Sequence, residues 1–201
     1  FNSRQRAIYY SMLAHIPASI PVGYSIYLTE QNTEFFNFMK MQYGNITGSE
    51  YVSPSLASGT NVNGLRHEDL TRLSFEQNSF DVLVCLEVLE HIPAYEKAIT
   101  EIHRVLKHGG KAFITTPFIP ANQDTLIRAK IKEDGQIEHL LPPDYHGDPM
   151  NSQGILCFQY FGWDLVDKMN SIGLKTKVEI IWSRKYGILG EDILILIAEK
   201  I

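Results

Sequence analysis

The chain has 201 residues, of which 44% are hydrophobic and 20% are charged, and its formal net charge is −5. This length fits one domain with an ample core, or one domain with an insertion. The acidic balance argues against a nucleic-acid binder that relies on a broad basic surface. Two cysteines are too few for a disulfide scaffold, and no CxxC or His/Cys cluster indicates a metal site, so we expect no metal. The apolar runs are too short for a transmembrane helix, and we expect a cytoplasmic protein without a membrane partner.

Predicted helices and strands alternate along most of the chain. Hydrophobic periodicity and capping residues predict helices over 1–16, 34–43, 93–107 and 161–172. Short apolar runs predict strands over 24–29, 45–51, 62–70, 79–86, 111–117, 175–183 and 192–200. Thr33 is expected to cap the second helix and Gly44 to end it. The Gly109–Gly110 pair is expected to form the turn after the third helix.

The segment of about 120–159 breaks this alternation. It is rich in turn formers and is too long for an ordinary connection, so we expect an insertion on the substrate side. The whole chain, 1–201, is then one domain of the α/β class. Its expected core is a mostly parallel seven-stranded sheet with an antiparallel C-terminal hairpin and helices on both faces.

Acidic residues stand at the carboxyl ends of four successive predicted strands, namely Glu30, Glu50, Asp69 and Glu87. In a parallel sheet these ends share one edge, which is where open α/β sheets bind ligands. Carboxylates there can accept the hydroxyls of a ribose, accept the amine of a purine, or balance a cationic ligand. Each acid alone is better explained as a solvated loop residue, but the four together favour a ligand site.

The order GSEY, HEDLTRLSF, NSFDVLVCLEVLEHI and EIHRVLKHGGKAFITTPF resembles the motif series of class I S-adenosylmethionine (SAM) dependent methyltransferases of the type 11 kind. The resemblance covers about residues 24–118, and it implies a Rossmann-like fold, SAM as cofactor and methyl transfer as activity. It implies that Glu50 holds the ribose and Asp69 the adenine amine, with the Leu70 amide at the ring. It also implies that Leu86 and Glu87 lie near the methionine part and the methyl group.

The chain departs from that family at the first motif, where TEQNTEFF replaces a glycine-rich turn of the form DxGxGxG. Side chains at these positions should keep the backbone farther from a ligand. We expect Glu30, Gln31 and Thr33 to line the methionine side instead, with the helix amino terminus favouring the SAM carboxylate. The same turn favours an alternative, a catalytically inactive methyltransferase-fold protein that serves as a binding or partner module. A dinucleotide oxidoreductase is disfavoured because G-x-G-x-x-G is missing.

Two histidines are the candidate catalytic residues. His146 lies in PPDYHGDP beside Asp144, Tyr145 and Asp148, and His91 precedes Ile92 and Pro93 at a predicted helix entry. An imidazole titrates near neutral pH, so either side chain can take the proton of a hydroxyl acceptor. The alternatives are a turn-stabilising cluster around His146 and a local hydrogen bond for His91. The expected acceptor is a hydroxyl of a small molecule or sugar.

Overall fold

The computed structural model describes the backbone of residues 1–17, 21, 23–148 and 151–201, and their side chains except those of 148, 151–153 and 191–192. The helices of these residues are α1 Ser3–His15, α2 Glu34–Tyr43, α3 Tyr95–Val105 and α4 Asp164–Ser171. Not one of these described helices is both long and apolar enough to cross a membrane.

The described strands in chain order are β1 Ile26–Leu28, β2 Ile46–Gly48, β3 Asn61–Val62, β4 Leu65–Arg66, β5 Phe80–Leu86, β6 Leu106–Thr115, β7 Leu126–Ile127, β8 Ala129–Ile131, β9 Ile137–His139, β10 Tyr145–Asp148, β11 Asn151–Leu156, β12 Gln159–Tyr160, β13 Leu174–Ser183 and β14 Ile188–Lys200.

Six strands form the central sheet, in the order β13-β14-β6-β5-β1-β2. The β2-β1-β5-β6 half is parallel, and β14 pairs antiparallel with both β6 and β13. A parallel bridge between Glu50 and His67 extends the β2 edge by one further position, where the seventh strand was predicted. The mostly parallel sheet with an antiparallel C-terminal hairpin is therefore confirmed.

Alternation along β5 divides the core into two layers. Leu83 and Cys85 face α3 and α4, whereas Val82 and Val84 face α1 and α2. These side chains are at most 1% exposed, because helices cover both faces of a parallel sheet. Apolar residues three and four apart bury one stripe of α3, namely Tyr95, Ala98, Ile99, Ile102 and Val105.

The predicted cap of α2 is confirmed. The Thr33 hydroxyl accepts a hydrogen bond from the Phe36 amide, and Gly44 ends the helix with a φ of 72°. A left-handed φ at this position suits glycine because it has no Cβ to clash. The cap fixes where the chain leaves β1 and enters α2, and so fixes the loop that carries Glu30 and Gln31.

Three predicted elements differ in the structure. The helix predicted over 93–107 begins at Tyr95 and ends at Val105, and Gly109 and Gly110 fall within the bounds of β6, in an irregular stretch where the register with β5 shifts between Leu106 and Lys111. The strand predicted over 62–70 is instead the β3–β4 hairpin, with His67 alone bridging to Glu50. The reason is Asn63–Gly64, whose positive φ angles turn the chain back on itself.

The insertion is built from β-hairpins rather than from an irregular loop. Within it β8 pairs with β9 and β10 pairs with β11, while β7 pairs with β12, where the chain returns to the sheet. A small cluster of Ala129, Leu156 and Phe158 forms its apolar centre. The turn residues seen in the sequence therefore close hairpins, and the insertion stands at the end of β6.

Gly48 allows close packing between β2 and the loop after β1. A Cβ at Gly48 would lie 2.4 Å from Cε2 of Phe36 and 2.7 Å from the carbonyl oxygen of Glu30. We expect Gly48→Ala to lower the free energy of unfolding by about 1–3 kcal/mol, since neither neighbour can move without displacing α2. Chemical denaturation measures this change. Gly147→Ala is the control, because its added Cβ has nothing within 4 Å; equal stability of the two variants would contradict the packing argument.

Candidate functional site

The carboxyl ends of β1, β2 and β5 carry the acids that the sequence pointed to. Glu50 stands just beyond β2 and is tied to the loop after β1. Its Oε1 accepts hydrogen bonds from the backbone amides of Gln31 and Asn32, each at 2.7 Å. The two amides that a glycine-rich turn would offer to a ligand are thus directed at Glu50, which holds the loop against β2.

Glu30 lies beside this pair and is largely buried. Its pKa is raised to about 7, mainly by burial and in part by the nearby Glu50 carboxylate, while a hydrogen bond from the Thr33 hydroxyl acts in the opposite direction. The Thr33 Oγ1 to Glu30 Oε1 distance is 3.0 Å. Glu30 is therefore an acid that changes its charge near neutral pH at the amino terminus of α2.

The Gln31 side chain forms two hydrogen bonds to the backbone of the β3–β4 hairpin. Its side-chain amide donates to the Gly64 carbonyl at 2.9 Å, and its Oε1 accepts from the Arg66 amide at 2.8 Å. These bonds fasten the β3–β4 hairpin to the loop after β1. The contact predicted between Gln31 and the methionine part of a cofactor stays a prediction.

Asp69 and Leu70 follow the single bridge of His67. Oδ1 of Asp69 accepts from the amide and the hydroxyl of Thr71, at 2.9 and 2.7 Å. The Asp69 carboxylate also lies near Tyr51, whose pKa is raised by burial and then by this charge. Leu70 is 6% exposed and packs into the core, so its backbone is the part that can face a ligand.

Glu87 continues directly from Leu86 at the end of β5 and adopts a left-handed φ of 52°. Its amide donates to the Thr115 carbonyl at 2.9 Å, which continues the pairing of β5 with β6 up to Glu87. Burial raises the pKa of Glu87, the neighbouring Glu90 raises it further, and Arg4 of α1 opposes both. The Arg4 Nε to Glu87 Oε1 distance is 3.6 Å, so α1 reaches the site.

A cavity of about 980 Å³ opens beside Glu87. The ends of α1, β6, β10 and β14 contribute to its walls, including Arg4, Thr116, His146, Tyr160 and Ile193. Of the predicted cofactor residues, only Glu87 lines it. The site therefore has two halves: the loop of Glu30 and Glu50 on one side, and this cavity on the other, with Glu87 at the cavity.

Both predicted catalytic histidines lie beside one buried carboxylate, and His146 also lines the cavity. Nδ1 of His146 lies 3.4 Å and Nε2 of His91 lies 3.7 Å from Oε1 of Glu90, which is 0% exposed. On its other side, Nε2 of His146 is 3.6 Å from Oδ2 of Asp144. We refer to Glu90, His91, Asp144 and His146 as the histidine cluster.

Three of the four members of the histidine cluster have a partner outside it that fixes their orientation. Oε2 of Glu90 accepts from the Thr116 hydroxyl at 2.9 Å, and Nδ1 of His91 bonds the Leu156 carbonyl at 2.8 Å. The Tyr160 hydroxyl donates to Asp144. The adjacent Glu90 carboxylate raises the pKa of His146 above its usual range, although burial opposes the shift.

The last part of the insertion brings these residues together. It consists of Phe158 and β12, and we call it the return strand. The side-chain amide of Gln159 donates to the carbonyls of Leu89 and Ile92, at 2.8 and 2.9 Å. The backbone amide of Phe158 donates to the Glu90 carbonyl at 2.8 Å. Pairing of β10 with β11 then carries His146 over the turn after β5. His91 was among the predicted catalytic residues, but Glu90, which joins the two histidines, was not. The available signal was an acid directly before a candidate catalytic histidine.

Tyr145, which flanks His146, takes no part in the cluster. Tyr145 is 56% exposed, and the side chain of Asp148 lies outside the described residues. Cys157 is near the cluster, but burial raises the pKa of its thiol to about 12. Its Sγ donates to the Gln159 carbonyl at 3.3 Å, which identifies it as a neutral, packed thiol.

The raised pKa of Glu30 predicts a pH-dependent stability. Its folded-state pKa of about 7 exceeds the ordinary value of 4.5, so the folded chain holds this proton more tightly than the unfolded chain. Stability conferred by the neutral form is therefore lost as the pH rises from about 4.5 to 7. We therefore compare the free energy of unfolding of Glu30→Gln with that of the wild type, by denaturation at pH 4 and at pH 8. We expect the difference to favour the variant more at pH 8 than at pH 4. The exposed Glu34→Gln is the control, and an equal gain there would exclude a specific effect of Glu30.

Comparison with known proteins agrees with this architecture. Residues 31–114 match the methyltransferase domain family. An uncharacterized protein of Methanocaldococcus jannaschii is 39% identical over 71 residues, which are 35% of this chain and 29% of that protein. The ubiquinone biosynthesis O-methyltransferase of Pseudomonas syringae pv. tomato is 38% identical over 93 residues, which are 45% of this chain and 38% of that enzyme. The matched segments thus span roughly a third of these relatives.

Solved structures share the fold over nearly the whole chain. An S-adenosylmethionine dependent methyltransferase from Mesorhizobium loti has a TM-score of 0.60 at 15% identity, covering 96% of this chain and 98% of its own. A second structure is the 1,6-didemethyltoxoflavin-N1-methyltransferase of Burkholderia thailandensis with bound 1,6-didemethyltoxoflavin and S-adenosylhomocysteine. It has a TM-score of 0.58 at 16% identity, covering 98% of this chain and 78% of its own. The chain therefore has the fold of class I SAM-dependent methyltransferases over nearly its whole length, and its residues 31–114 are similar to the methyltransferase domain family.

Proposed function

We propose that this chain transfers the methyl group of SAM to a hydroxyl oxygen of a small molecule or sugar. The observation that carries the proposal is the cavity beside Glu87, which contacts the end of β5 and has His146 of the histidine cluster in its wall. A methyl donor at the carboxyl edge would deliver its reactive carbon next to this cavity. The name of the Pseudomonas syringae relative, an O-methyltransferase, supports an oxygen acceptor.

The cofactor half of the proposal rests on the acids at the strand ends. Glu50 would hold the ribose through its second carboxylate oxygen, because Oε1 is already bound to the Gln31 and Asn32 amides. Asp69 would accept the adenine amine beside the Leu70 amide. Glu30 and Thr33 would face the methionine part at the start of α2, and Glu87 would lie near the sulfonium. Negative side chains of this kind favour a ligand that carries positive charge on sulfur and nitrogen.

The chemistry needs little from the protein beyond placement. As the acceptor oxygen attacks, its bond to the methyl carbon forms while the carbon–sulfur bond breaks, and the sulfonium becomes a neutral thioether. The hydroxyl proton must leave, and His146 and His91 provide the group that assists its loss. In-line positioning of the two reactants supplies much of the rate. Residues 1–201 would act as one domain, with the leading helix and the insertion as walls of the acceptor cavity.

One observation favours the alternative, a methyltransferase-fold binding module without catalysis. The loop after β1 has no glycine, its amides are directed at Glu50, and the Gln31 side chain is bound to the β3–β4 hairpin. A loop closed in this way would have to open for SAM. Cofactor binding therefore separates the two candidates.

Calorimetric titration with S-adenosylhomocysteine tests the proposal directly. We expect binding by the wild type and a loss of roughly 10–100-fold in affinity for Glu50→Gln, since a hydrogen bond to a charged group contributes about 1.5–3 kcal/mol. Glu34→Gln, an exposed glutamate on α2, should bind as the wild type does. No heat at millimolar ligand from a folded wild-type protein would overturn the proposal and favour the binding module.

Asp69 gives a second test on the adenine side. Asp69→Asn keeps the Oδ1 acceptor that Thr71 uses but removes the charge. We expect roughly tenfold weaker binding of S-adenosylhomocysteine or more, with a thermal midpoint close to that of the wild type. If the midpoint falls and the affinity of the remaining folded protein is unchanged, Asp69 is a structural residue only.

A further inference from the structure

The histidine cluster has one polar atom that its neighbours do not satisfy. Oε1 of Glu90 is buried and accepts no hydrogen bond within the described part of the chain. An ionised carboxylate oxygen left in this state is costly, and it calls for a cation or a proton. Two ring nitrogens, Nδ1 of His146 and Nε2 of His91, face it at 3.4 and 3.7 Å.

The distances among these atoms fit metal ligands. All three ligand atoms lie within 4.8 Å of one another. Ligands held at about 2.0–2.1 Å from a tetrahedral zinc ion lie about 3.4 Å apart. The two distances to Oε1 match that edge length, whereas each is long for a hydrogen bond. The three atoms are therefore spaced as ligands of a single ion would be.

The outer partners of the cluster are also those of a metal site. Metal-binding histidines donate their other ring N–H to a carbonyl or carboxylate, which fixes the ring and its tautomer. His91 bonds the Leu156 carbonyl through Nδ1, which leaves Nε2 free toward Glu90. His146 faces Asp144 through Nε2, which leaves Nδ1 toward Glu90. The second oxygen of Glu90 is held by the Thr116 hydroxyl.

We propose that Glu90, His91 and His146 bind a divalent cation of the zinc, iron(II) or cobalt(II) class through Oε1, Nε2 and Nδ1. Two histidines and one carboxylate form a ligand set typical of catalytic sites of these metals, with a position left open. That position would face the cavity, since His146 lines it. A second set, Asp144, His146 and Cys157, also lies within reach. It is the weaker candidate because the Cys157 thiol is buried and donates to a carbonyl.

The inference rests on the proposed function for its chemical role. A cation at the open position would bind the acceptor hydroxyl and make it more acidic. The O–H bond breaks, with its proton passing to water in the cavity, and the oxygen then forms its bond to the methyl carbon of SAM. The electron pair of the broken carbon–sulfur bond stays on sulfur, and the metal keeps its oxidation state. In this scheme the two histidines assist loss of the proton by binding the cation.

Cobalt(II) is the probe for the test. The full chain is stripped with a chelator, dialysed and titrated with Co²⁺ in the absence of SAM, with visible ligand-field absorption and calorimetry as readouts. We expect one equivalent to bind, with the absorption of a four- or five-coordinate ion. We expect His146→Ala and Glu90→Gln to lose more Co²⁺ affinity than the roughly 10–100-fold that removal of an outer partner causes.

Two further variants make the test specific. Asp144→Asn removes an outer partner and should weaken Co²⁺ binding by roughly 10–100-fold. His139→Ala removes an exposed histidine of β9, in the same insertion but outside the cluster, and should bind as the wild type does. Circular dichroism checks that each variant is folded, and the wild-type and Asp144→Asn titrations decide the question if a ligand variant is not.

The outcomes separate the inference from the proposed function. Absence of Co²⁺ binding to folded wild type, or equal binding by wild type and His146→Ala, would overturn the metal site even if S-adenosylhomocysteine binds. Stoichiometric Co²⁺ binding that depends on His146 and Glu90 supports the site, even if the protein fails to bind S-adenosylhomocysteine and the methyltransferase proposal falls.

Discussion

The contact on which the site depends is the docking of the insertion's return strand on the turn after β5. Gln159 is 2% exposed, and its side-chain amide donates hydrogen bonds to the carbonyls of Leu89 and Ile92. The Phe158 amide does the same for the carbonyl of Glu90. Since buried backbone acceptors are costly to leave unpaired, this docking fixes the turn and the insertion relative to each other. Every side chain of the histidine cluster belongs to one of these two segments.

The same contact divides the carboxyl edge into two electrostatic regions. On one side Glu30 and Glu50 face the loop after β1, where backbone amides and the start of α2 compensate part of their charge. On the other side Glu90 is enclosed, with two imidazoles as its neighbours. In the proposed function, the first region would hold the cationic methyl donor and the second the polar acceptor. Glu87, at the end of β5 in the wall of the cavity, is the acid where the two meet.

Much of the fold could be read from the sequence because it is set by local signals. Thr33 and Gly44 bound α2 as their capping chemistry requires, and the alternation in β5 places its side chains in two layers. The sequence patterns gave wrong predictions where two local tendencies compete. Asn63–Gly64 turned a predicted strand into a hairpin, and the end of α3 gave way to β6, whose pairing with β5 begins at Leu106. The insertion offered turn residues but no periodicity, so its hairpins could not be predicted.

The sequence by itself determined the order of strands and helices, the acids at the strand ends and the missing glycines of the first loop. These features depend on residues near one another in the chain, where spacing and capping act directly. Only the tertiary structure decided that Glu90 joins His91 to His146, that Gln31 fastens a hairpin, and that the cavity lies beside Glu87. These contacts join residues far apart in sequence, and they form because buried polar groups must find partners once the insertion docks on the sheet.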